Sequence, residues 1–407
     1  MHLKPEEKAV LLLGRDSLKE EQTDEIKKNL SFGSFHWELF YHLCFVHGLW
    51  GFVFDNLNGR FPYPGEIKKK LFLLCQSTAQ RNNLLFEEQK KILNLLNREG
   101  IAVIMLKGID LSQMLYGEKW RLKSTTDIDL LVGLEDVPKT IFLLQKELGY
   151  GESTGRKIKL KTLLYWDKDI SLYKKKNPLD FAPSILELHW SVAFNSKIDR
   201  RALETIWREK TLGMWENIPL WRMNKVNELL FLLVHGSKHR WECLRHLLDV
   251  HEYVLKSNFK EKEWEEITDK AFYFGWERFC MLGLALAQVL YDTPVPAEVL
   301  ETLGKNWIKK EEIFSSPSSF PYVRHFSLFE LFSSKKDKLF FALKSLRFPS
   351  EEIVKHYPLP SFLSFLYIPL SASVAIFHWL RRNFASVFLR GLLKKNSGHH
   401  PGQRRAG

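Results

Sequence analysis

Two aspartates one residue apart, Asp127 and Asp129, stand at the head of the apolar run Ile128-Asp129-Leu130-Leu131-Val132. Side chains alternate along a strand with a period of two, so both carboxylates fall on one face and close together. Like charges that near repel, and a cation between them removes the cost. Magnesium suits the place, because it takes oxygen ligands, keeps several waters and is held by one or two carboxylates together with substrate phosphates. The pair is therefore expected to bind Mg²⁺ or Mn²⁺, as two ions of which one activates an attacking oxygen and the other neutralises a departing pyrophosphate. An isolated Asp-x-Asp also occurs as a solvated strand end, so its neighbours must decide between the two.

A third carboxylate is expected from Glu187, in Ile185-Leu186-Glu187-Leu188-His189-Trp190, where Leu186 and Leu188 point to the opposite face. It would bind a metal ion or accept the acceptor's proton. His189 shares the face of Glu187, which puts it at the edge of a site or in a structural hydrogen bond. Lys107-Gly108 ends the apolar run Ile101–Leu106. A glycine there lets backbone N–H groups approach a phosphate at the positive end of a helix. Ser124, Thr125 and Thr126 are candidate hydroxyl donors to a triphosphate, with Arg121 and Lys107 as charge partners. Against these stand plainer roles, Gly108 as a turn residue and Arg121 as a surface ion-pair partner. His235 and His239, four apart, share one face of a helix. No HExxH or third ligand accompanies them, so contact with the α/β core is expected rather than a zinc site, with Asp249 orienting one ring.

The elements that would carry these residues follow from periodicity. From about Ser17 to Asn97 apolar residues recur at helical spacing, broken at Asn58-Gly59-Arg60-Phe61-Pro62-Tyr63-Pro64-Gly65. Ile101–Leu106 reads as a strand running through a tight turn into a helix. Residues 127–132 form a second strand and Val137–Leu148 a second helix closed by Gly149. The stretch 157–173 is expected to form a hairpin and 185–190 a further strand; beyond Arg201 the pattern is helical, most clearly over 227–255 and 271–290. The fold class predicted is α+β, a small mixed sheet flanked by helices. The expected segments are an N-terminal helical segment 1–98, a palm 99–200, a helical domain 201–345, apolar and basic C-terminal helices 346–395, and a disordered tail 396–407.

Leu106-Lys107-Gly108, Leu115-Tyr116-Gly117, Arg121 and Thr126-Asp127-Ile128-Asp129-Leu130-Leu131-Val132 together resemble the uncharacterised bacterial nucleotidyltransferase family often called nucleotidyltransferase family 5. Arg81-Asn82 upstream, Glu187-Leu188-His189-Trp190 downstream, and the series His235, His239-Arg240-Trp241, Leu244, Asp249 are similar to further segments of that family, so the resemblance spans roughly 35–255. It implies a palm like that of DNA polymerase beta, two divalent ions, and transfer of a nucleoside monophosphate from an NTP to an acceptor. Two residues depart from the wider superfamily: Ile109 follows Lys107-Gly108 where Gly-Ser or Gly-Gly is common, and Glu187 stands where Asp is common.

Composition narrows the setting. The 407 residues include 13 Trp and 30 Phe, enough large apolar side chains for a folded interior and too many for a disordered chain. Cys44, Cys75, Cys243 and Cys280 form no CxxC pair, which argues against a zinc knuckle or disulfide framework and fits a reducing cytosol. The start of the chain is mixed in charge and Val10–Leu13 is too short for a signal peptide, so export is not expected. Lys and Arg exceed Asp and Glu by 60 − 48 = 12, a basic surplus that favours polyphosphates or anionic surfaces. No sequence-specific nucleic-acid binding is expected; the partners are an NTP and an acceptor, whether peptide, protein, sugar or small metabolite. Residues 357–380 carry no Asp, Glu, Lys or Arg, but three prolines interrupt them. That texture favours an apolar helix docked on the protein or lying in a membrane interface, with peripheral contact through 357–395, over a spanning helix.

Overall fold

The structure is a computed structural model that describes residues 3–31, 35–152, 160–174, 185–305, 307, 313, 328–347, 366, 369–370 and 373. The tail 396–407 and, apart from residues 366, 369, 370 and 373, the apolar stretch 357–380 lie outside the described residues. Among the described residues no helix is long and apolar enough to cross a membrane. Two compact units divide the chain, 1–153 with 159–338, and 154–158 with 339–407; everything below concerns the first.

Five helices open the chain: α1 Pro5–Leu13, α2 Glu20–Leu30, α3 Trp37–His47, α4 Trp50–Leu57 and α5 Gly65–Arg98. The Gly- and Pro-containing loop before α5 falls where the sequence predicts it. Helix α5 is 34 residues long and buries Ile67, Leu71, Cys75, Leu85, Ile92 and Leu96 at helical spacing. The sheet elements follow: β1 Val103–Met105, α6 Ile109–Tyr116, a 3₁₀ turn Gly117–Leu122, β2 Ile128–Val132, α7 Val137–Leu148, β3 Tyr150–Glu152, α8 Leu160–Trp166, β4 Asp169–Lys174, β5 Ile185–His189, α9 Arg200–Glu209, β6 Thr211–Trp215 and β7 Ile218–Arg222. Four longer helices and one shorter follow: α10 Lys225–Lys238, α11 Leu244–Ser257, α12 Glu261–Phe274, α13 Glu277–Tyr291 and α14 Ala297–Gly304.

The seven strands form one mixed sheet in the order β3-β4-β5-β2-β1-β7-β6. Its centre is β2, antiparallel to β1 and parallel to β5, with every residue of β1 and β2 buried. That double burial explains why these two strands read as apolar runs rather than alternating ones. The α+β architecture, a mixed sheet with flanking helices, is the one expected from the sequence.

Three local expectations need correction. Residues 160–166 are helical and only 169–174 form a strand, which pairs antiparallel with the preceding strand β3 and the following strand β5 instead of folding into a hairpin with 160–166. The helical reading beyond Arg201 missed the hairpin β6–β7, whose turn residues Glu216 and Asn217 take positive φ of 49° and 63°. The helical stretch 227–255 is broken into α10 and α11 by a corner where Arg240 and Trp241 both have φ of 54°. Trp241 is fully buried there, and a Cβ on Gly236 or Gly283 would come within 2.1 or 2.5 Å of its ring. The indole thus wedges α10 against α13, and only glycine fits beneath it.

Candidate active site

Strand pairing builds the acidic centre. Asp129 on β2 lies directly opposite Glu187 on β5, and Asp169 on β4 lies opposite His189. Asp127 precedes the first residue of β2, yet its carboxylate converges with that of Asp129 on the Lys107 ammonium, at 3.4 Å and 2.7 Å respectively. His189 Nε2 sits 3.1 Å from Asp129 Oδ1 and 3.5 Å from Glu187 Oε2, while Nδ1 is 3.6 Å from Asp169 Oδ2. Lys168 pairs with Asp169. Among the described residues, Asp129, Glu187 and His189 are the one group of three or more His, Cys, Asp or Glu side chains with ligand atoms close enough to hold a metal ion, all within 4.8 Å of one another. Asp127 is tied to this group by the Lys107 ammonium that it shares with Asp129.

The charges in this centre are strongly biased by burial and by one another. Burial opposes ionisation of Asp129, but the Lys107 ammonium and the His189 hydrogen bond outweigh it and hold the carboxyl well below the usual range. Burial and the neighbouring Asp129 charge push Asp127 upward. Glu187 is also desolvated, yet the His189 hydrogen bond and the Lys107 and Lys168 charges keep it below its ordinary value. Desolvation likewise works against the Lys107 ammonium, and the pull of Asp129, Asp127 and Glu187 more than reverses it.

Beside this centre opens a cleft that is open to solvent. Its floor is Lys107, Gly108 and the segment Lys123-Ser124-Thr125-Thr126-Asp127; its far wall is Leu232 and His235 from α10 with Arg245, His246 and Asp249 from α11. Gly108 has φ of 92°, the left-handed side of the map, and directly precedes α6. Helix α5 holds the floor in place: Arg81 donates to the carbonyls of Thr125 and Thr126, and Asn82 Nδ2 donates to the carbonyls of Arg121 and Lys123 at 3.1 and 2.7 Å. Asp249 accepts from Tyr116 and from Lys123, each at 2.7 Å, and so ties α11 to the floor. Burial, reinforced by nearby cations, depresses the pKa of His235 and His246 well below the ordinary value, so both rings are neutral at pH 7.

Of the residues expected from the sequence, the fold brings Lys107, Asp127, Asp129, Glu187 and His189 into one charged cluster and sets Lys107, Gly108, Ser124, Thr126, Asp127 and His235 around the adjoining cleft. Arg121 is elsewhere: it is exposed, donates to Asn83 Oδ1 at 2.9 Å and lies 4.5 Å over the Trp120 ring. His239 is exposed and stacks near His235 and His246, with ring centroids 4.7 and 5.2 Å away. Asp249 orients no histidine; its partners are Tyr116 and Lys123, because these reach it from the floor. Sequence reasoning missed Lys123, Arg245, His246, Lys168 and Asp169. The polar run Trp166-Asp167-Lys168-Asp169 was a signal for the last two, had its end been read as a strand.

Comparison with known proteins now places the chain. The family model described as "Uncharacterised nucleotidyltransferase" matches residues 33–292. The chain belongs to that family. The nucleotidyltransferase match takes in α5, the whole sheet and α10 to α13, and therefore every residue of the acidic centre and the cleft. No curated protein and no solved structure matches the chain.

Proposed function

We propose that this nucleotidyltransferase moves a nucleoside monophosphate from an NTP to a hydroxyl or phosphate oxygen of an acceptor, releasing pyrophosphate. The observation that carries the reading is the in-register pairing of Asp129 with Glu187 beside a cleft whose cations are Lys107, Lys123 and Arg245. Acids to hold divalent ions and bases to hold phosphates stand side by side.

The donor set fits a divalent ion. His189 Nε2 faces the Asp129 and Glu187 carboxylates together, and an imidazole nitrogen beside two carboxylate oxygens is a donor set for a divalent ion. Carboxylates suit Mg²⁺ and Mn²⁺, and the imidazole tilts the set towards Mn²⁺. Asp129, Glu187 and His189 would hold one ion and Asp127 with Asp129 the other; bound there, such ions polarise the α-phosphoryl oxygens and neutralise developing charge on pyrophosphate.

The remaining work belongs to the chain's own groups. The triphosphate lies along the cleft floor, met by the Ser124 and Thr126 hydroxyls, by the α6 N-terminus after Gly108, and by Arg245 from the far wall. These contacts orient the α-phosphorus towards the acidic centre. The acceptor oxygen attacks it, its bond to the bridging oxygen breaks, and the proton passes to Glu187, the most exposed of the three ligands, or to water. Purified protein incubated with labelled NTPs, Mn²⁺ or Mg²⁺ and host lysate should label an acceptor and release pyrophosphate.

A second reading rests on Lys107, whose ammonium already compensates Asp127 and Asp129. In that case the palm binds a nucleotide or a protein without turnover. NTP binding with no pyrophosphate release across acceptors would decide for it.

A further inference from the structure

Lys107 stands at a boundary. Its ammonium reaches Asp129 at 2.7 Å and Asp127 at 3.4 Å, and the same side chain lines the cleft in which the phosphates are placed above. Its side chain is 21 % exposed, whereas that of Asp129 is fully buried. The acidic centre contains four carboxylates, Asp127, Asp129, Glu187 and Asp169, and two ammonium groups, Lys107 and Lys168. The carboxylates outnumber the ammonium groups by two, and one divalent ion supplies two positive charges. A second ion would leave an excess of positive charge in a largely desolvated place, unless a triphosphate arrived with it.

We infer that Lys107 is a built-in counter-ion that keeps the Asp127–Asp129 position closed to metal until a nucleotide is present, and then turns to the triphosphate. Loading of the second ion is thereby coupled to NTP binding. The inference rests on the nucleotidyltransferase reading of the site. A lysine suits the task, since four rotatable bonds carry its point charge between neighbouring anions, and both sets of anions border this residue. The free protein therefore holds one ion, on Asp129, Glu187 and His189, and stays electrically balanced without a second.

Mn²⁺ binding to the full chain, followed by electron paramagnetic resonance of the free ion, tests this without turnover. The free protein is expected to bind one Mn²⁺, and protein saturated with α,β-methylene ATP two. Lys107→Met should raise the affinity of the nucleotide-free protein for Mn²⁺ by about tenfold or more and admit a second ion, because its competitor is gone. Lys107→Arg, which keeps the charge, should restore the single ion. Two Mn²⁺ in the free wild-type protein would overturn the inference whether or not the Met variant folds, and so would a folded Lys107→Met that binds Mn²⁺ as wild type does. No Mn²⁺ binding even with the nucleotide analogue would instead remove the metal-dependent reading of the site on which the inference stands.

Discussion

The link between α11 and the cleft floor should be the costliest single charge to remove from the site's framework. Asp249 and Lys123 are paired at 2.7 Å with side chains 10 % and 9 % exposed, and Tyr116 shares the carboxylate. At that separation, with an effective dielectric of about 20, the attraction is about 6 kcal/mol, of which desolvation of the two ions takes back a large part. Burial holds the Lys123 pKa below its usual value even with Asp249 present. Asp249→Asn keeps a hydrogen-bond acceptor but strands the ammonium, for which a loss of about 3 kcal/mol is expected. Adding Lys123→Met removes the stranded charge, so the double variant should be about 2 kcal/mol more stable than the sum of the single losses predicts. Urea unfolding followed by tryptophan fluorescence measures all four corners of the cycle. A loss below about 1 kcal/mol for Asp249→Asn, or plain additivity, would refute the claim that a buried ion pair holds the far wall to the floor.

The other predictions probe separate parts of the structure. Asp127→Asn and Asp129→Asn should each lower metal-dependent nucleotide transfer at least about 100-fold, and unchanged rates in both would remove the proposed mechanism. Arg245→Met should weaken NTP binding about tenfold by calorimetry, while Arg121→Met, whose partners are Asn83 and Trp120, should leave it unaltered. Gly236→Ala forces a methyl group to 2.1 Å from the Trp241 ring and should cost about 2 kcal/mol in the same urea assay; wild-type stability would contradict the wedge. Burial holds His47 and His251 at about 4, below the ordinary 6.5, so the unfolded chain takes up protons first as pH falls. Stability present above pH 6.5 should drain away between about 6.5 and 4, and His251→Gln should flatten that slope in thermal melts.

What could be read from the sequence was whatever local periodicity controls. Asp129, Glu187 and His189 were legible because each lies in a strand whose alternate positions are leucine or isoleucine, so the polar members stand out on the other face. The glycine at 108 and the αL glycine closing α7 at 149 were legible because backbone geometry admits few other residues. Lys123 and Asp249 were not, since their partnership spans 126 residues and neither carries a local pattern that names the other. The hairpin β6–β7 escaped for a related reason: Leu212 and Met214 are exposed on the edge strand, so its apolar alternation marks no buried face. The placement of Arg121 was not legible because the 3₁₀ turn points it at Asn83 and Trp120, a direction set by one turn of backbone rather than by residue type.

From the sequence, the neighbouring aspartates ask for a divalent cation; in the fold, part of that demand is met by an ammonium from the preceding strand's end. An Asp-x-Asp pair on a strand is thus a weaker indicator of bound metal than electrostatics alone implies, whenever a lysine lies at the mouth of the antiparallel neighbour. The stronger indicator here is the unequal distribution of what remains. Lys107 serves Asp129 at 2.7 Å and Asp127 at 3.4 Å, and Lys168 serves Asp169 at the other end. Between them His189 faces two carboxylates through one nitrogen and a third through the other. Glu187 and Asp129 repel one another across the two strands whose pairing fixes their separation. Rigid parallel strands cannot part to relieve the repulsion, so the most direct compensation is an ion brought from outside.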